Sequence, residues 1–217
     1  MITDINFFQV LLAGFFLTIV FLHIAKKNST ITILYAAQSC VVVLLLARSF
    51  FETGMISSLI ITVLVLVVKV VLAPVFITRL VRRHKLKFLV SSYVNMPLSL
   101  VIVTALTAAA HSSFFMPLVT IVPANQQFLS LALSALFISL FLIVNRKGAL
   151  SQIVGILSLE NSIVVFALFA GLEQSLGLQI GILFDVFVWL IIANVFISML
   201  YTHFGSLDVT EMKKLKD

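Results

Sequence analysis

Residues 149–170 read ALSQIVGILSLENSIVVFALFA, a run long enough to cross a bilayer, with Glu160 near its middle. About 11 helical residues separate Glu160 from the basic end of the run. At 1.5 Å per residue that is roughly 16 Å, half of a ~30 Å hydrocarbon core. A carboxylate at that depth costs on the order of 2.5–3.5 kcal/mol even on a lenient insertion scale. It persists only if it faces the protein interior, has a partner or does work. One reading is a protonatable site on an ion path. The other is a neutral buried acid that serves as a hydrogen-bond strut between helices. The depth favours the first.

Composition agrees with a membrane location for the whole chain. Of the 217 residues, 62% are hydrophobic and 10% are charged, against about 25% charged in a soluble domain. Apolar runs of about 20 residues point to helices, since barrel strands alternate. The expected class is therefore an all-α polytopic integral membrane protein. The first apolar run is too long for a signal-peptide core and lacks a basic start. The single cysteine, Cys40, has no metal or redox motif around it. The net charge of +6 is no nucleic-acid signal, because the charges sit at helix ends.

About seven spans are expected, near 5–24, 31–50, 56–80, 88–109, 127–145, 149–171 and 178–201. Basic residues follow every second one: Lys26 and Lys27, then Arg79 to Lys87, then Arg146 and Lys147, then Lys213, Lys214 and Lys216. The opposite connections hold Arg48, Glu52 and Glu173. The positive-inside rule puts the N-terminus outside and the C-terminus in the cytoplasm. The tail after His203 is polar, either a short amphipathic helix or a disordered end.

Individual spans carry different signals. His23, at the inner end of span one, reads as an interfacial, solvated side chain. Span two holds Gln38, an expected interhelical hydrogen-bonding group, among small residues (Ala36, Ala37, Ser39) that allow close approach. Span three holds Lys69, too deep to snorkel. Ser58 and Thr62 share its face at 100° per residue, and Pro74 is expected to bend the helix beyond it. A buried Lys is either titratable or permanently paired with Glu160. Span four contains Pro97 and no central charge. The short turn NRKGAL makes spans five and six an antiparallel hairpin. Span seven carries Asp185 with Gly181 and Trp189 on its face.

Glu160, Lys69 and Asp185 thus lie inside the membrane on three spans, and form the expected proton or ion path. Gln38, Ser58, Thr62, Gln152 and Asn161 are the supporting polar groups. No phosphate loop, metal-ligand cluster or nucleophile–base pairing is readable. Autonomous catalysis is not expected, and neither a catalytic residue nor a bound metal or cofactor is assigned.

The run NRKGALSQIVGILSLENSIVVFAL resembles the second helix of subunit K of respiratory complex I. There a basic turn precedes a glutamate in an Ile-Gly-Leu-Glu-like motif, with Asn soon after. LQIGILFDVFVWL is similar to that family's next helix, with Asp185 standing where the family has a glutamate. The whole chain resembles membrane component E of hydrogenase-4, the formate hydrogenlyase type, through LYAAQSCVVVLL, VVKVVLAPVFITR, SLENS, LQIGILFDVF and THFGSLDVTEMKKLK. The resemblance implies an N-terminal region, 1–126, of four helices with Lys69. It also implies a subunit K-like region, 127–217, of three helices with Glu160 and Asp185 and a cytoplasmic tail. It further implies a non-redox subunit, without cofactor, of a complex I-like [NiFe] hydrogenase in a prokaryotic inner membrane. The partners it implies are antiporter-like and electron-transfer-anchoring membrane subunits, with lipids around them. A cation/proton antiporter subunit and a purely structural membrane-arm subunit are the alternatives. An internal echo sets LYAAQSC beside GILSLENS, aligning Gln38 with Glu160.

Overall fold

A computed structural model describes residues 2–83, 90–120, 122, 125–171 and a discontinuous set of positions between 180 and 202. The described residues form helices joined by turns. These are α1 (Ile2–Ile24), α2 (Asn28–Thr53), α3 (Ile56–Val65), a π-helical segment (Leu66–Leu72), α4 (Ala73–Arg83), α5 (Met96–Ala110), a 3₁₀ turn (Ser113–Phe115), α6 (Met116–Val119), α7 (Gln126–Asn145) and α8 (Ala149–Phe169). Five helices are long and apolar enough to cross a membrane, with α3, the π segment and α4 acting as one of 27 residues. This is the architecture of a multi-pass membrane protein. In hydrocarbon every backbone N–H and C=O must be satisfied within its own helix, which is why the apolar runs emerge as uninterrupted helices.

The expected spans one, two, three, five and six correspond to these five helices. Span four needs correction. Residues 90–95 are not helical, and α5 starts only at Met96. Asn95 caps it by accepting from the Leu98 N–H at 3.0 Å, and Pro97 stands in its first turn. Pro97 therefore begins a helix and does not sit inside one, because the first turn has no use for its missing N–H. With 15 residues, α5 rises roughly 22 Å, short of a full crossing. Span seven is described at separate positions between 180 and 199, all of them helical, and Asp185 lies outside the described residues.

Residues 90–95 instead lace the basic end of the bundle together. The N–H of Val90 donates to Lys26 O (2.8 Å), that of Tyr93 to Asn145 O (2.8 Å) and that of Lys147 to Ser91 O (3.2 Å). The Asn145 amide accepts from Val94 N–H at 2.9 Å and donates to Ser99 Oγ at 3.1 Å. Lys147 Nζ stands 5.1 Å from the centre of the Tyr93 ring.

Two further basic-end residues are more deeply placed than their sequence positions imply. His23 is 5% exposed, hydrogen-bonded to the Ile138 carbonyl (3.1 Å) and stacked on Phe141. It is a packed helix–helix contact, not a solvated interfacial group. Arg146 is buried in the α7–α8 turn and donates to the Leu22 carbonyl. Burial pushes its guanidinium down to about 10. Because the folded chain then releases this proton more readily than the unfolded chain, the burial penalty is fully present at every pH below about 10. The hydrogen bond to the last turn of α1 offsets it.

Pro74 sits in the first turn of α4, directly after the π segment, where Ala73 N–H reaches back to Val68 O. The wider π turn absorbs the hydrogen bond that Pro74 cannot make. Lys69 lies in the middle of that segment. At the other end of the bundle Gly54, at φ 64°, closes α2 with its N–H on Phe50 O, a left-handed cap that a side chain would strain.

The core has two apolar layers. One, toward the basic end, holds Leu22, Tyr35, Ile77, Leu142 and Leu157. The other holds Phe15, Val42, Val65, Ile138 and Val164. On α2, the π segment, α7 and α8, buried polar residues lie between the two layers.

Candidate functional site

Those intervening residues form one buried polar layer. Helix α2 contributes Gln38 and Ser39, the π segment Lys69, α7 Ser139, and α8 Ser158, Glu160, Asn161 and Ser162. All are buried, and apart from Glu160, at 9%, each is fully shielded. Each stands near the middle of its helix. In hydrocarbon, polar side chains of this kind find one another, because lipid offers no alternative partner.

Lys69 Nζ donates to Asn161 Oδ1 at 3.0 Å and lies 3.7 Å from Glu160 Oε2, as an ion pair. The Asn161 amide in turn donates to Ser39 Oγ (3.0 Å) and reaches Gln38 Oε1 at 3.5 Å. Gln38 Nε2 donates to Ser158 Oγ at 2.9 Å. Ser158 and Ser139 hydroxyls are 3.4 Å apart, those of Ser139 and Ser162 3.0 Å apart, and Ser162 returns to the Ser158 carbonyl at 3.0 Å. Tyr35, one helical turn before Ser39, is fully buried with its hydroxyl beside Ser39 but without a well-formed bond to it.

Of the residues singled out in the sequence, Lys69, Glu160, Gln38 and Asn161 come together. Gln38 makes the expected interhelical hydrogen bond, and Lys69 has Glu160 as its counter-ion. Thr62 spends its hydroxyl on the Ser58 carbonyl of its own helix (2.7 Å), so this pair does not extend the cluster by hydrogen bonding. Gln152 is at the hairpin turn, donating to the Arg146 carbonyl at 2.7 Å. Asp185 lies outside the described residues. Among the described residues no group of three or more His, Cys, Asp or Glu is placed to hold a metal.

No protein-family model matches the chain. No solved structure matches it significantly. It is 30% identical over 125 residues to Rv0085, an uncharacterized protein of Mycobacterium tuberculosis. That match covers 57% of this chain, and the chain spans 56% of the relative's length.

The serines of the layer add functional positions that only their spacing signals in the sequence. Ser151, Gly155, Ser158 and Ser162 recur at intervals of four, three and four along α8, and all are buried. That spacing keeps them on one helical face. A stripe of small residues inside an apolar run marks where another helix approaches closely, and α7 lies against it with Ser139.

Proposed function

We propose that this chain is a non-redox membrane subunit of a complex I-like, membrane-bound [NiFe] hydrogenase of the formate hydrogenlyase type. In that role it contributes buried ionisable residues to proton or cation translocation coupled to electron transfer. The observation that carries the ion-path part is the Lys69–Glu160 pair, 3.7 Å apart and enclosed at mid-height in the bundle. The hydrogenase part is supported by the resemblance of LYAAQSCVVVLL, VVKVVLAPVFITR and SLENS to the hydrogenase-4 component E family, and of the Glu160 helix to the complex I subunit K family. A proton that arrives at Glu160 cancels its charge and weakens its hold on Lys69. The lysine is then freed to act on the next polar site. Asp185 is the candidate for a site nearer the outer face.

Replacing Glu160 by Gln keeps the shape and removes the charge. In proteoliposomes holding the assembled hydrogenase complex, Glu160→Gln is expected to lower hydrogen-driven proton translocation at least tenfold with subunit stoichiometry unchanged. Full coupled pumping by the assembled variant would establish the purely structural alternative. Copurification with cation/proton antiporter subunits and no hydrogenase would establish the antiporter alternative.

The proposed orientation has the N-terminus outside and the basic end of the bundle in the cytoplasm, as the clustering of Lys26, Lys27, Arg146 and Lys147 favours. Single cysteines at two exposed positions test it in a Cys40→Ser background. Met55→Cys is expected to react with an impermeant maleimide in intact cells, and Lys27→Cys only after permeabilisation. The reverse pattern inverts the topology.

A further inference from the structure

We infer that Asn161 is a positioning residue that keeps Lys69 from closing onto Glu160 and gives the lysine its resting place when Glu160 is neutral. The inference rests on the ion-path reading of the same pair. Lys69 Nζ is 3.0 Å from the neutral amide oxygen and 3.7 Å from the carboxylate. Charge-assisted N–H···O bonds close to about 2.7–2.9 Å, so attraction alone would reverse this order.

The amide prevails because its other end is fixed. Nδ2 donates to Ser39 Oγ at 3.0 Å and reaches Gln38 Oε1 at 3.5 Å, while Gln38 is itself tied to Ser158 at 2.9 Å. The amide has one acceptor and two donors, and an ammonium has only donors. With its N–H groups committed to α2, Asn161 turns its oxygen to Lys69, and a flipped amide would set N–H groups against the ammonium. α2 therefore holds the lysine through Asn161 at a distance where it is attracted to Glu160 without being locked to it. A lysine hydrogen-bonded directly to the carboxylate would hold it permanently charged and remove it from any proton path. Anchored on Asn161 by one hydrogen bond to a neutral oxygen, Lys69 keeps a defined starting position in either charge state of Glu160, and it can leave that position once the carboxylate is neutral.

The test uses the full chain in lipid bilayers, labelled with ¹⁵N-lysine and ¹³C-glutamate. Solid-state NMR reads the Nζ–Cδ dipolar coupling of the Lys69–Glu160 pair, assigned by its loss in Glu160→Gln. Asn161→Leu is expected to strengthen this coupling as the lysine closes on the carboxylate. It is also expected to lower pumping by the assembled complex at least tenfold, with partial recovery in Asn161→Gln, which restores an amide. A Gln38→Leu/Ser39→Ala chain, which frees the far end of Asn161 and leaves Asn161 in place, is expected to shift the coupling in the same direction. An unchanged or weaker coupling in both Asn161→Leu and the double variant overturns the inference. Normal pumping by Glu160→Gln defeats the ion-path reading instead, and the two failures are read in separate measurements.

Discussion

Lys69→Met is expected to lower the stability of the folded chain by about 3–5 kcal/mol, the usual cost of breaking a buried ion pair from one side. The Lys69 ammonium is fully buried, with Asn161 Oδ1 at 3.0 Å and Glu160 Oε2 at 3.7 Å. Methionine keeps much of the stem volume but none of the donors. Two acceptors, one of them charged, then lose the ammonium at a buried position. The loss should therefore exceed what the missing contacts alone imply, because stranded groups bear their full desolvation penalty. The check is a double-mutant cycle with Glu160→Gln, read by reversible unfolding in mixed micelles. If the pair is the cause, adding Glu160→Gln to Lys69→Met recovers a large part of the loss, with a coupling energy of roughly 1–3 kcal/mol. Additive losses would show that the two side chains are stabilised independently.

The depth of Lys69 and Glu160 was legible because position along an apolar run translates directly into height in the membrane. Which helices adjoin was not legible, since apolar faces look alike to lipid and to protein. The positions paired by the internal echo include one contact. Aligning Gln38 with Glu160 also sets Ser39 opposite Asn161, and these two hydrogen-bond across α2 and α8. The two helices start at the same end of the bundle, near Lys27 and Arg146, so the echoed positions lie at one height. Pro97 reads as a point within a span on hydropathy alone, whereas the Asn95 cap two residues earlier marks a helix start. His23, a basic residue beside Lys26, invites an interfacial reading, and only tertiary structure supplies Phe141 and the Ile138 carbonyl. The π turn at Leu66–Leu72 has no sequence sign except Pro74 at its far side, and it alters the 100° stepping on which the Ser58–Thr62–Lys69 stripe depended.

Gly155→Leu is expected to separate α7 from α8 and disable the site without touching any of its polar residues. A Cβ at position 155 would stand 2.9 Å from Ile143 Cγ1 and 3.3 Å from the Ile143 Cα and N. The first atom can move aside and the backbone atoms cannot. Even Gly155→Ala should therefore destabilise the chain by about 1–3 kcal/mol, although Ala is the better helix former by up to about 1 kcal/mol. Adding Ile143→Ala to Gly155→Ala removes the closest clash and leaves the backbone contacts, so it should relieve only part of the strain. Leucine leaves no such accommodation. Because the helices are antiparallel, Gly155 against Ile143 fixes the approach that places Ser139 within 3.0 Å of Ser162 and 3.4 Å of Ser158. A separation of about 1 Å puts both pairs beyond hydrogen-bond reach. Ser158 is also the acceptor for Gln38, so the disturbance passes through Gln38 to Asn161 and Lys69. Cross-linking of cysteine pairs placed on α7 and α8 at the Ser139–Ser158 level, in a Cys40→Ser background, reads the separation directly. Cross-linking at the wild-type rate in Gly155→Leu would show that the hairpin tolerates the side chain and that the small-residue stripe does not set its spacing.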